Sequence, residues 1–272
     1  MTFLRSKIAR YPAPIRFSVF VLMLMLLWLP IATPIYFIWR SSSAVGIALL
    51  LILYTEFIWL LRRWGRRVHQ QSHPLYEHGL KPTSRNQLEL IISLVFGFAS
   101  IFTLFGLEGW FGWLTWQALP PTLIRSLFEG LGVAIAVSFA EELLFRGWIV
   151  DEFRLDYGYP IALWISSAIY AAVHFIKPWA EIVRTLPSFP GLLLLGLTLG
   201  WARQRHQGRL GVAIGLHAGL VWGYYLVDVT DWIVYTDRVP TWVTGIDQNP
   251  LAGVMGFGFL VLIAMSVYGR KR

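Results

Sequence analysis

Residues 130–150, "GLGVAIAVSFAEELLFRGWIV", read as a membrane helix that carries Glu141, Glu142 and Arg146 in its inner half. Each of these charges is expensive in hydrocarbon unless it is paired or wetted, so three together mark either a helix end or a working site. The apolar "GWIV" follows before the next charges, "DEFR" at 151–154. With the membrane boundary there, Glu141 lies about 15–20 Å deep at the helical rise of about 1.5 Å per residue, close to the midplane. A snorkelling end does not account for that depth.

The rest of the chain has the same character. It holds 272 residues, 56% of them hydrophobic and 14% charged, with a mean hydropathy of +0.58. This composition excludes an ordinary soluble domain and predicts an all-α, polytopic membrane protein. About eight transmembrane helices are expected, at roughly 17–39, 43–61, 88–107, 122–150, 159–178, 189–202, 209–227 and 250–268. The basic N-terminal stretch precedes an apolar run far longer than a signal core, so the run from Phe17 to Trp39 is read as a retained span. The chain divides into N-terminal helices with a basic loop (1–120), a motif-bearing core (121–227), and an outer loop with a last helix (228–272).

Net charge is +8, and the cations lie between the apolar runs, a pattern of membrane orientation and not of nucleic-acid binding. With the N-terminus in the cytoplasm, seventeen Lys and Arg fall inside and five outside, Arg146 being set aside. Both termini are therefore expected to be cytoplasmic in an integral, multi-pass protein whose arginines meet the headgroups of the bilayer. The inner loop 62–87, with His69, His73 and His78, reads as solvated, and the Trp-rich stretch 108–121 as interfacial or re-entrant. No cysteine is present, which excludes disulfides, thiolate ligands and cysteine nucleophiles.

Glu142 and Arg146 stand at i and i+4 and can pair on one helix face, while Glu141 is turned about 100° away and stays available. His174 in "SSAIYAAVHF" and His217 in "GVAIGLHAGLVWG" sit about 20 Å and about 12 Å from the inner ends of their spans. All three groups can meet if the helices tilt. Gly211, Gly215 and Gly219 repeat every four residues around His217, as Gly196 and Gly200 do on the preceding span, which predicts closely packed helices. A carboxylate with imidazoles in a wet intramembrane cavity suits activation of water for attack on an amide carbonyl. Two histidines and a glutamate could instead hold a zinc ion with one position open for water. Neither HExxH nor GxSxG occurs.

"EELLFRG" (Glu141, Glu142, Arg146), "YAAVH" (Tyr170, His174) and "HAGLV" (His217) resemble, in order, the motifs EExxxR, FxxxH and HxxxN. These belong to the CPBP family of CAAX-protease and bacteriocin-processing membrane proteins, also called Abi or Rce1-like. The resemblance covers roughly residues 120–225 and implies a CAAX-protease-like bundle acting as a glutamate-dependent intramembrane endopeptidase, usually classed as a metalloprotease. It implies Glu141, Glu142, Arg146, His174 and His217 as catalytic residues, with Glu141 and His174 activating water and His217 stabilising the oxyanion. Zinc is a conditional cofactor, with His174, His217 and Glu141 as its ligands. The implied partner is a membrane-anchored peptide or protein substrate, CAAX-like and lipidated or simply membrane-proximal.

Two positions depart from the pattern. Tyr170 replaces the usual Phe, a mild change. Val221 replaces the Asn of the third motif and cannot donate to an oxyanion, and loss of one such donor costs on the order of 10²–10³ in rate. A non-proteolytic membrane scaffold that binds or protects partners is therefore the alternative reading. A proton-coupled transporter ranks below both, because no paired discontinuous segments are visible.

Overall fold

The computed structural model describes residues 7–39 and 43–268. Arg5, Arg40, Arg270, Lys271 and Arg272, which enter the charge asymmetry, lie outside the described residues, as do both termini. The chain is an all-α membrane bundle. Its long helices are α1 (Ala13–Ile38) and α2 (Ser43–Arg67), then, after the short α3 (Pro74–Glu77), α4 (Ser84–Trp110). There follow α5 (Leu123–Glu141), a π-helical segment (Glu142–Ile149) and α6 (Val150–Val173). The short α7 (Trp179–Thr185) leads to α8 (Phe189–Arg205) and α9 (Gly211–Val229), and the short α10 (Thr241–Thr244) to α11 (Val254–Tyr268).

Among the described residues, six helical stretches are long and apolar enough to cross a membrane, and α11 is a shorter apolar helix. One stretch, Leu123–Val173, has 51 residues. Straight, it would measure about 75 Å against a hydrocarbon core of about 30 Å. It is not straight: Gly158 adopts φ +75° and ψ 167°, a conformation that side chains disfavour, and the chain reverses there. After the reversal Ser166 Oγ donates to the Phe145 carbonyl at 2.7 Å, and Tyr170 packs edge-on against Phe145. The run is thus two antiparallel passes, matching the two spans expected at 122–150 and 159–178.

Glycine sets the closest contact in the bundle. A methyl added at Gly211, Gly215 or Gly219 would collide with the carbonyl oxygen of Asn86, Leu90 or Leu94, and Gly223 abuts Ile101 one turn further. So α9 lies nearly backbone to backbone along α4, as the four-residue repeat predicted. Gly196 and Gly200 do the same for α8 against Ser167 and Leu163 of α6. Around α1 the packing is aromatic instead. Phe20 stacks at 3.9 Å on Trp148 and edge-on to Phe57 and Trp64.

One loop expectation needs correction. The segment after α2 is docked, not solvated: His78 is buried and bonds Asp151 at 2.9 Å, while His69 bonds Glu152 at 2.9 Å. The carboxylates that follow the π-helical segment draw the loop in. In the Trp-rich stretch 108–121 the helix ends at Trp110. Leu114–Trp116 forms a short strand (β1) paired antiparallel with Ile233–Tyr235 (β2), Thr115 opposite Val234. Because that partner lies more than 100 residues away, the pairing has no local signature.

Candidate active site

The site is built on the π-helical segment, Glu142–Ile149. Such turns are rare and recur at functional positions, because i→i+5 bonding re-aims side chains and frees carbonyls. Here the carbonyls are answered from other helices. Tyr54 Oη donates to Phe139 O at 3.1 Å, Ser166 Oγ to Phe145 O, and Arg203 Nη1 to Arg146 O. Side-chain donors of this kind make irregular backbone tolerable at membrane depth.

Glu142 is wholly buried, with Arg146 and His217 almost so. Its Oε1 receives Arg146 Nη1 at 2.8 Å and His217 Nδ1 at 2.9 Å. The pairing of Glu142 with Arg146 is the one expected from i, i+4 spacing; the imidazole is an addition. With Glu142 ionised opposite the guanidinium, His217 Nδ1 is the donor, and Nε2 faces the other way. Nε2 lies 3.8 Å from Glu141 Oε2. Glu141 is the more open acid, its side chain 26% exposed. The sequence therefore marks four residues, Glu141, Glu142, Arg146 and His217, that the fold does bring together.

His174 stands one ring further out. It is exposed, and its Nδ1 bonds the Tyr170 carbonyl of its own helix at 2.7 Å. Among the described residues no hydrogen bond or ion pair joins it to Glu141. It meets the others through the buried Tyr170, whose ring centroid is 4.7 Å from that of His174 and 6.3 Å from that of His217. The Arg146 guanidinium lies over the other side of this ring, 4.2 Å from its centre. Tyr170 is thus the spacer between the two histidines.

Buried polar atoms without a hydrogen-bond partner gather here: Glu141 Oε2, Glu142 Oε2, Arg146 Nη2, Ser138 Oγ and Ser167 Oγ. Most are one helical turn or less from the two acids in sequence. This is unused hydrogen-bonding capacity of the kind a polar reactant satisfies. Among the described residues no three His, Asp or Glu side chains are placed to hold a metal ion. The Nδ1 contacts of His217 with Glu142 and of His174 with a carbonyl leave each Nε2 open, but His174, His217 and Glu141 are not gathered as a ligand set.

A second charged layer, missed in the sequence, supports the first. Arg203 grips Asp151 with two bonds of 3.0 and 2.9 Å while donating to Arg146 O. Glu152 receives Arg16 Nε at 2.5 Å, Trp64 Nε1 at 3.3 Å and His69 Nε2 at 2.9 Å. "DEFR" looked like a solvated boundary, but Asp151 and Glu152 are buried and paired. The signal that could have found them is the excess of inner-side cations whose partners lie far away in sequence.

The arrangement is a buried acid–histidine pair beside a second, partly open acid inside a helical membrane bundle. Residues 123–223 match the family model described as "Type II CAAX prenyl endopeptidase Rce1-like", a stretch that spans all five site residues. Over that stretch the match supports a CAAX-protease-like domain and a function of the intramembrane-protease kind. No curated protein and no solved structure matches the chain.

Proposed function

We propose that this protein is an endopeptidase that hydrolyses a membrane-proximal or lipidated peptide, with Glu141 as general base and His217 as its partner. The observation that carries the reading is the chain of contacts Arg146–Glu142–His217–Glu141, in which a fixed acid orients an imidazole toward a second, partly open acid. In this scheme Glu141 takes a proton from water while the water oxygen bonds the carbonyl carbon. The C–N bond then breaks as that proton passes to the leaving nitrogen, giving a carboxylic acid and an amine. His217, donating from Nδ1 to Glu142, accepts from the attacking water at Nε2, and Glu142 with Arg146 position it. His174, at the open edge beside Tyr170, contacts the peptide. No step is routed through zinc, because the residues as placed do not assemble a site for it.

The test compares peptide termini in native membranes carrying the wild-type chain or Glu141→Gln at matched expression. Termini found only with the wild type support hydrolysis and name the substrate; identical termini, with the variant still folded, overturn it. One observation favours the second reading, a scaffold that binds membrane partners without cutting them. Val221 is half-buried one turn beyond His217 and offers no donor where the motif has Asn. Under that reading Glu141→Gln leaves partner capture unchanged.

A further inference from the structure

None of the site residues lines a second cavity, a groove of about 1190 Å³ that opens where α8 and α11 end, α4 and α9 begin, and α6 resumes after its turn at Gly158. Arg85, Arg205 and Arg209 line it, together with Trp164, Trp201 and Tyr268. No Asp or Glu is among its described lining residues. The nearby acid, Glu89, is taken by Arg209, which donates from Nε at 2.7 Å and Nη2 at 2.5 Å. Glu89 also meets His206 Nδ1 at 3.0 Å and, at 3.3 Å, Arg85, whose side chain is 72% exposed. Arg205 uses one nitrogen on the Ser266 carbonyl, which leaves the rest of its donor fork open. Three guanidiniums thus face one carboxylate, and the excess is positive.

The walls point to a particular anion. The lining comes from the ends of α8 and α11, the starts of α4 and α9 and the Gly158 turn, the kind of place where apolar helices meet the headgroups of a bilayer. Trp201 and Tyr268 pack together at 4.8 Å, and Trp164 is more than half exposed, so an aromatic rim stands beside the cations. Leu163 and Val267 carry the lining on into apolar surface. Cations beside aromatic rings at a span end are what a phosphate attached to acyl chains recognises. A free phosphate would use the arginines and leave the rest.

We propose that this groove binds the headgroup phosphate of an anionic phospholipid, with Arg85 and Arg205 on the phosphate and Trp164 against the glycerol and first methylenes. The proposal does not depend on the peptidase reading. The experiment uses the full chain in detergent, loaded with phosphatidylglycerol or phosphatidylcholine of the same acyl chains, and reads retained lipid by native mass spectrometry. Retention of the anionic lipid is expected to exceed that of the zwitterionic one by about tenfold, in keeping with about 1 kcal/mol for each interfacial arginine. Arg85→Gln/Arg205→Gln should remove most of that preference, as should Arg85→Gln with Trp164→Leu, which leaves the bond from Arg205 to Ser266 intact. Removing the same charge elsewhere, with Arg63→Gln/Arg67→Gln, should not. Equal retention of the two lipids, or equal losses in the groove and control pairs, would overturn the proposal. Displacement of the lipid by millimolar inorganic phosphate would assign the site to a soluble anion and overturn it likewise.

Discussion

His217 Nδ1 and Arg146 Nη1 converge on the same oxygen of Glu142, at 2.9 and 2.8 Å. This shared carboxylate ties the first and third motifs together across α9 and the π-helical segment. It also separates the roles of two adjacent acids. Glu142 is enclosed and holds Arg146 and His217 on its Oε1, while Glu141 is the more open acid, its side chain 26% exposed.

Glu141→Gln is therefore expected to abolish cleavage with little loss of folded protein. Glu142→Ala and Arg146→Ala each leave a buried charge alone, which costs about 3–5 kcal/mol, and should lower folded yield much further. Size-exclusion yield in detergent, compared across the three variants, checks this. Equal yields would contradict the division of roles.

Arg203 supports the site from below. Arg203→Ala leaves Asp151 with only His78 and the half-exposed Arg154 as partners and the Arg146 carbonyl unanswered, so a loss toward the low end of about 3–5 kcal/mol is expected. Arg203→Lys should recover little, because a single ammonium cannot reproduce the two-pronged grip on Asp151 together with the carbonyl bond. Thermal unfolding of both variants in one detergent distinguishes this from a generic loss of charge, for which lysine would restore stability.

Gly219→Val should prevent α4 and α9 from approaching, since a side chain there meets the Leu94 carbonyl and the Phe98 amide. The matched control is Gly258→Val on α11, where an added carbon meets nothing within 4 Å. Folded yield should collapse for the first and hold for the second. Comparable yields would show that the helices can separate without penalty.

Val221→Asn restores a hydrogen-bond donor to the third motif. If the chain is a peptidase, the rate at saturating substrate should rise by at least about tenfold, since one oxyanion donor is worth on the order of 10²–10³. A scaffold would show no cleavage with either residue at position 221.

The sequence by itself determined the membrane character, the positions of the main apolar helices, and the identity of the residues at the site. Hydrocarbon makes this legible. Glu141, Glu142, Arg146 and His217 stand out because each would be unfavourable on a lipid face, and glycines every four residues announce close packing before any partner is known. Only the tertiary structure decided which groups meet. That His217 bonds Glu142 and merely faces Glu141 depends on the rotation of α9 against the π-helical segment. The turn at Gly158, the exposed place of His174 and the grip of Arg203 on Asp151 depend likewise on contacts between residues far apart in the chain. Local periodicity records which side of a helix is apolar, whereas the partner of a buried charge is chosen by the packing of several helices at once, and no single stretch of sequence encodes it.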